Sequence, residues 1–579
     1  MIQRIALLGS LLALCGSFAM GESVERRPRL RRPESITLSA DDKFAFTANR
    51  RSGSLSVVDL ERRLVVTEVD LGERLADMTR IADDAVAVVD EQTHELLIVS
   101  IANNSPRVLH RLAVARHPID VEYNAAEKIF AIASLWSRRV TIVEHGADGL
   151  VVKATIDLPF APRRQLFLEG RHQLLVADSF GGRLAVLDLK EHRVLHMREF
   201  PGHKIRGMRV SASGDMLIVS HQMLNELAHT VRNDVHWGLL MSNDLRWLRL
   251  SNVLKPGADL YEGAHMHPLG EASSATGDPV QLAVSPQGAV VVTLGGVGEV
   301  AIGKEDDFSL YRIKVGKRPT AVAINRAGKR AYTANTFGDS ISIVDLEERE
   351  LVDEISLGPR AELSLADRGE LLFYDATLSH DSWMSCHSCH PDGHTNGMLN
   401  DNFSDKSFGS PKRVLSLLGR HQTGPFAWNA SSQSLREQIG KSMEFTMQGD
   451  REPTDKQLDV LTAFVQALPP QPSIDVARGT VDKVAIERGR KLFMARDCNR
   501  CHAPPTYTTP KTYDVGIHDK QGNKRFNPPT LRGVGQRGAY FHDNRAKSLE
   551  DVFRTYGHQI KDALADDDLH ALLAFLRSL

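Results

Sequence analysis

The sequence predicts a multidomain chain, an all-β seven-bladed β-propeller followed by two small all-α domains, and three observations predict it. First, a pattern near the start recurs near residue 319 without a slip. Pro33, Phe46-Thr47-Ala48-Asn49, Ser54-Leu55-Ser56-Val57-Val58-Asp59-Leu60 and Gly72 return as Pro319, Tyr332-Thr333-Ala334-Asn335, Ser340-Ile341-Ser342-Ile343-Val344-Asp345-Leu346 and Gly358, each 286 positions on. Second, equivalent starts near Leu75, Pro118, Pro162, Lys204 and Pro279 fill the interval, which makes seven units. Third, past Gly358 the alternation of apolar and polar residues gives way to helical spacing, in two stretches that repeat one order of motifs, with Gly424-Pro425-Phe426 returning 114 positions on as Gly538-Ala539-Tyr540.

The composition agrees with several folded domains. The chain has 579 residues, 42% hydrophobic and 25% charged, the proportions of globular protein. Basic and acidic side chains nearly cancel, 71 against 73, which leaves no electrostatic case for a nucleic-acid partner. Five cysteines are too few for a disulfide-built scaffold.

At the N-terminal end Arg4 precedes an apolar run over residues 5–19, short for a membrane span and right for the core of a secretory signal. Ser17-Phe18-Ala19 and Ala19-Met20-Gly21 both fit cleavage, so residues 1–21 are expected to be a signal peptide. Cys15 invites a lipoprotein reading, but Leu14 is a poor residue before a lipidated cysteine. The expectation is export to the periplasm, with no transmembrane span.

Residues 31–358 hold the repeats. Short alternating runs with Gly, Asn and Asp at the turns read as about four antiparallel strands per unit. Units that cannot bury both faces alone stack radially. This part resembles the YVTN family of β-propellers, with Phe46-Thr47-Ala48-Asn49 and Tyr332-Thr333-Ala334-Asn335 as the motif. One interval is 75 residues rather than 40–44, an insertion at about 220–277 carrying His221, His229, His236, His265 and His267. Three readings stay open for it: a solvated excursion, a lobe reaching toward the second domain, or a metal site.

The remaining four cysteines form Cys386-His387-Ser388-Cys389-His390 and Cys498-Asn499-Arg500-Cys501-His502. Both are CxxCH, the attachment pattern of haem c. Two sulfurs on one helical turn add to the two haem vinyl groups, and the adjacent histidine reaches the iron. A pair of zinc half-sites would not need a trailing histidine on each. The expected cofactors are therefore two covalently bound haem c, held by Cys386, Cys389 and His390 and by Cys498, Cys501 and His502. Around them Arg368-Gly369-x-x-Leu372-Phe373 matches Arg488-Gly489-x-x-Leu492-Phe493, and a Pro-rich joint, Leu468-Pro469-Pro470-Gln471-Pro472, separates the units. Residues 359–468 and 473–579 are read as two all-α cytochrome c-like domains.

Residues 366–579 resemble the bacterial di-haem cytochrome c peroxidase and MauG family. The motifs are Leu371-Leu372-Phe373-Tyr374-Asp375, Trp428 ten residues before Gln438, and Thr530-Leu531-Arg532-Gly533-Val534 leading into Tyr540-Phe541-His542-Asp543. The resemblance implies that the first haem, on His390, reacts with hydrogen peroxide, and that the second, on His502, relays electrons. It places the inter-haem tryptophan at Trp428 and the second haem's distal iron ligand at Tyr556, with His558 as a rival. A phenolate there would favour the ferric state and a MauG-like oxidase.

Three departures from the family follow. Its peroxide pocket pairs a Gln, here Gln438, with a Glu ten residues on, here Gln448. An amide cannot shuttle a proton, and Glu444 is the substitute if that stretch is helical. The family's inter-haem calcium uses positions that are Arg413, Arg537 and Ala539 here, which leaves calcium open but disfavoured. For the first haem's distal side His394, Met398 and His421 are all near. The expected function is peroxidase-like: hydrogen peroxide is reduced at the first haem, with electrons from a small cytochrome or cupredoxin or from a propeller-docked substrate. A MauG-like oxidase and a non-enzymatic electron-transfer or redox-sensing protein are the alternatives.

Overall fold

The computed structural model describes residues 28–146, 149–304, 310–403, 406–560 and 562–579; the expected signal peptide lies outside them. Seven four-stranded antiparallel sheets follow one another, over residues 33–70, 75–113, 118–157, 162–199, 203–268, 279–314 and 319–356. In each the chain meanders outward from an inner strand, and the seven inner strands neighbour one another in a closed ring. This is the seven-bladed propeller that the repeats predict. Inner strands begin at Leu75, Pro118, Pro162, Pro279 and Pro319, and in the fifth blade at His203, one residue before the expected Lys204.

The repeated motif is a buried hydrogen-bond network. Thr47 Oγ1 donates to Asn49 Oδ1 at 3.1 Å, and Asn49 Nδ2 donates to Ser54 Oγ and Ser56 Oγ at 3.0 and 2.8 Å. In the last blade Thr333, Asn335, Ser340 and Ser342 repeat it at 3.0, 3.0 and 2.9 Å. The asparagine satisfies polar groups that strand packing would otherwise leave dry and unpaired. Among the described residues, no strand is exchanged between the first and last blades. Instead the backbone N–H groups of Arg31 and Arg32 donate to the Asp339 carboxylate at 3.2 and 2.7 Å, and Thr336 Oγ1 donates to the Pro33 carbonyl at 2.8 Å.

Beyond the ring the two helical units repeat one packing. Helix Leu365–Phe373 crosses Asp455–Ala467, and Lys483–Ala495 crosses Asp566–Ser578. The crossing points are the duplicated glycines: a Cβ on Gly369 would lie 1.9 Å from the Val460 carbonyl oxygen, and one on Gly489 2.0 Å from that of Ala571. Phe373 and Phe493 then bury against the partner helices.

Both units dock on one face of the propeller, and the docking is polar and buried. Asp278, at the entry to the sixth blade and paired within the propeller with Lys204 and with Arg318 (2.8 Å), meets His387 of the helical part at 3.0 Å. Asp392 pairs with Arg163 and Arg206, and Gln536 Nε2 donates to the Trp136 carbonyl at 2.7 Å. The insertion of the fifth blade joins this interface. Its apolar residues Leu224, Ala228, Val235, Leu240 and Met241 share one core with Phe373, Trp383, Met384, Met443 and Met447 of the helical part. Of the three readings of that segment, the structure supports the lobe that reaches the second domain rather than a solvated excursion.

Candidate functional site

The helical part contains two cavities. One, of about 210 Å³, is walled by Cys386, Cys389 and His390; the other, of about 430 Å³, by Cys498, Cys501 and His502. Arg413, Trp428, Asn527 and Pro529 belong to both walls.

In the first cavity the segment from Cys386 to Cys389 is one helical turn, which sets both sulfurs on the cavity wall. Burial pushes these thiols up to about 12, so both are held as neutral sulfur, as a thioether is. The two residues between them turn the other way, into the propeller. His387 Nδ1 lies 3.0 Å from Asp278 and its Nε2 3.3 Å from Asp392. Ser388 offers its carbonyl to His203 Nε2 at 2.9 Å and its hydroxyl to Gln222 Nε2 at 3.1 Å. Burial, with Lys204 beside it, holds His387 well below the usual imidazole range. Nothing in the sequence brings His387, Lys204 and Asp278 together: His387 is a variable position of its CxxCH, and Lys204 and Asp278 lie at the starts of two blades.

In the second cavity the His502 ring is oriented from behind. Its Nδ1 lies 3.2 Å from the Tyr507 carbonyl; donating there leaves Nε2 as the free ligand atom, the usual support of a metal-bound imidazole. Burial, with His558 nearby, pushes His502 down to about 4.

Trp428 stands between the cavities. It is buried, and its indole N–H donates to the Arg413 carbonyl at 2.8 Å while its ring meets His542 edge-on at 6.3 Å. Gln438 lies on the first cavity wall, with its Oε1 buried and unpaired. The other two expected acid–base residues do not. Residues Ser442–Thr446 form a π-helical turn on which Ser442 and Thr446 face the cavity and Glu444 is exposed. Gln448 instead donates to the Thr230 carbonyl of the insertion at 2.7 Å. No carboxylate lies on the first cavity's wall among the described residues.

The distal positions also differ from expectation. Tyr556 is 38% exposed, lines neither cavity, and donates its hydroxyl to the Arg545 carbonyl at 2.9 Å. His558 is on the second cavity's wall, pushed down to about 4 by burial. On the first side His394 is turned toward the propeller, against Trp136 and Phe180, and neither Met398 nor His421 is on the wall; Met384 and Met447 are.

Arg413, Arg420 and Arg537 are buried around the cavities without a carboxylate partner among the described residues. Burial and mutual repulsion push Arg413 and Arg420 down to about 9 and Arg537, by burial, to about 10; Arg413 Nε has no hydrogen-bond partner. Buried guanidinium groups call for anions. A haem brings two propionates, so the residues present fit it. The same charges at Arg413 and Arg537, two positions of the family's calcium site, do not suit a second cation.

Paired cavities, each with a CxxCH on its wall and one tryptophan shared between them, define a di-haem cytochrome. Residues 364–470 match the family described as di-haem cytochrome c peroxidase. That match, behind the propeller, marks the chain as an oxidoreductase. It is 24% identical over 268 residues to the cytochrome c551 peroxidase of Nitrosomonas europaea, covering 37% of this chain and 79% of that one. It is also 24% identical over 264 residues to the hydrazine synthase subunit gamma of Kuenenia stuttgartiensis, covering 36% of this chain and 72% of the relative. A solved chain of Kuenenia stuttgartiensis hydrazine synthase superposes with a TM-score of 0.49 at 18% identity, over 57% of this chain and 99% of that one.

Proposed function

We propose that the protein reduces hydrogen peroxide in the His390 cavity with electrons that enter at the His502 cavity, in the periplasm. The observation that carries this reading is Trp428, which walls both cavities and is fixed through Arg413. Haem iron supplies the redox centre for cleaving the O–O bond and for passing electrons on. Cys386 and Cys389 would hold the first haem through thioether bonds, and Cys498 and Cys501 the second. His390 and His502 would be iron ligands, and His558, rather than Tyr556, would offer the second haem a further nitrogen. Arg413, Arg420 and Arg537 would receive propionates. The balance is one peroxide, two electrons and two protons to two waters, with a small cytochrome or cupredoxin as donor. Gln438 can orient peroxide through its amide but cannot act as general acid, so protons come from solvent and O–O cleavage is the slow step.

Two alternatives fare differently. With Tyr556 outside the cavity, the phenolate that leaned toward a MauG-like oxidase is gone. The wall without a carboxylate favours instead the reading as an electron-transfer or redox-sensing protein. An EPR spectrum of the ferric holoprotein, before and after one equivalent of peroxide, decides between them. One high-spin and one low-spin signal, both lost on oxidation, are expected. Two low-spin signals unmoved by peroxide, even after partial reduction, would make this an electron-transfer protein.

A further inference from the structure

The seam between the fifth-blade insertion and the helical part holds a cluster that neither haem cavity uses. The Nδ1 of His236, at the end of the short helix Arg232–His236, lies 2.6 Å from Asp381 Oδ2. His380 Nε2 lies 3.5 Å from the same oxygen. The ligand atoms of His236, His380 and Asp381 all fall within 4.8 Å of one another. The two imidazoles stack at 5.4 Å with planes 25° apart, so both present nitrogen to one side of one carboxylate.

We propose that His236, His380 and Asp381 bind a divalent transition metal, zinc above all, that clips the propeller's 225–240 loop to the haem module. Two imidazole nitrogens and a carboxylate oxygen are a zinc donor set, not one for calcium or magnesium, which take oxygen ligands. Bonds of about 2.0–2.2 Å to a tetrahedral zinc put neighbouring donors roughly 3.3–3.5 Å apart. The 3.5 Å pair already has that spacing, and the 2.6 Å pair has only to open by under about 1 Å. The support behind the donors fits as well. His380 Nδ1 lies 2.8 Å from Asp450 Oδ1, the carboxylate–imidazole–metal arrangement, and Arg232 of the same loop pairs with that carboxylate at 2.5 Å. The Trp383 indole N–H donates to the His236 carbonyl at 3.1 Å, and the Ser273 backbone N–H donates to Asp381 Oδ2 at 3.0 Å. Both hold the donors in place. The His236 side chain is 31% exposed, which leaves a fourth position to water.

A hydrogen-bonded His–Asp pair needs one imidazole. Here two, from different domains, converge on a single oxygen, and a cation is what makes that convergence favourable. The site lies against the first cavity, since the His380 N–H donates to the carbonyl of Met447, a wall residue. The clip would thus fix that wall to the propeller.

The test uses the full-length holoprotein, stripped with a chelator, given zinc and dialysed, with metals counted by mass spectrometry. Wild type should keep about one zinc per chain beside about two irons. Asp381→Asn and His236→Gln should keep the iron and lose the zinc. Asp450→Asn, which touches no proposed ligand but His380, should weaken zinc about 10–100-fold. The zinc K-edge spectrum of wild type should show two imidazoles and one carboxylate oxygen at about 2.0–2.2 Å. Absence of stoichiometric zinc in wild type, or equal zinc in Asp381→Asn, would overturn the proposal and leave these contacts as hydrogen bonds only. So would a K-edge spectrum containing sulfur, which would place the zinc on a CxxC pair.

Discussion

Two positions separate Tyr556 from His558, and the backbone between them decides which one meets the second haem. Helix Leu549–Arg554 ends in bonds from the N–H of Thr555 and Tyr556 to the Asp551 carbonyl. Gly557 then takes a left-handed φ of 53°, which side chains resist and glycine does not. The chain reverses there, and the imidazole enters the cavity while the phenol leaves it. Accordingly Tyr556→Phe should leave the low-spin signal of the second haem unchanged, and His558→Ala should convert it. A changed spectrum in Tyr556→Phe would restore the tyrosine as ligand. At Trp428 the shared wall predicts that Trp428→Phe slows electron equilibration between the haems at least tenfold in stopped-flow, with both resting spectra intact. Unchanged kinetics would mean that the indole is packing alone.

At the level of elements, the duplicated Arg-Gly-x-x-Leu-Phe turned out to be a packing device. Gly369 and Gly489 let paired helices cross with backbone in contact, and nothing larger fits at 1.9–2.0 Å from a carbonyl. Gly369→Ala and Gly489→Ala should each cost about 1–3 kcal/mol through overpacking, although alanine alone favours a helix by about 1 kcal/mol. Denaturant unfolding measures this, and a stabilised variant would mean that the helices separate easily. In the fifth blade, burial raises Asp244 to about 6, against about 3.9 in an unfolded chain. Between those values the folded state holds a proton that the unfolded state has released. Stability therefore falls as pH rises from about 4 to about 6, by about 1–3 kcal/mol. Asp244→Asn should remove that slope, and an unaltered pH profile would contradict the assignment.

Across the whole molecule, the propeller is bound to its own haem module. One face of the propeller meets the haem module through residues such as His387, Asp392 and Gln536. Asp278 is central: fully buried, it answers Lys204, Arg318 and His387 together. Asp278→Asn keeps the shape and the left-handed backbone at φ 65° but strands the buried Lys204 and Arg318 side chains. A loss of about 3–5 kcal/mol is expected, with calorimetry resolving separate propeller and haem-module transitions. A single unshifted transition would show that the apolar core around Trp383 and Met241 holds the domains by itself.

What the sequence determined by itself was whatever is written in short or regular spacing. The 286-residue offset paired the first and last blades because both carry one buried network around an asparagine, Asn49 and Asn335, and the equivalent starts between them counted seven. CxxCH marked two haem positions because two thioether bonds and one iron–imidazole bond to each haem need residues on one turn. Gln438 and Trp428 were legible through their mutual spacing. Only the tertiary structure decided the rest. Glu444 turns outward because a π-helical turn carries Ser442 and Thr446 to the cavity. Gln448 serves the insertion, which is a domain clasp rather than a loop in solvent. Arg537, from the second helical unit, joins Arg413 and Arg420 of the first where the haem anions would lie. Each of these depends on which face of an element a side chain leaves, and on contacts between segments tens to hundreds of residues apart. Local spacing carries no information about such contacts; burial and electrostatic pairing create them when the domains close on each other.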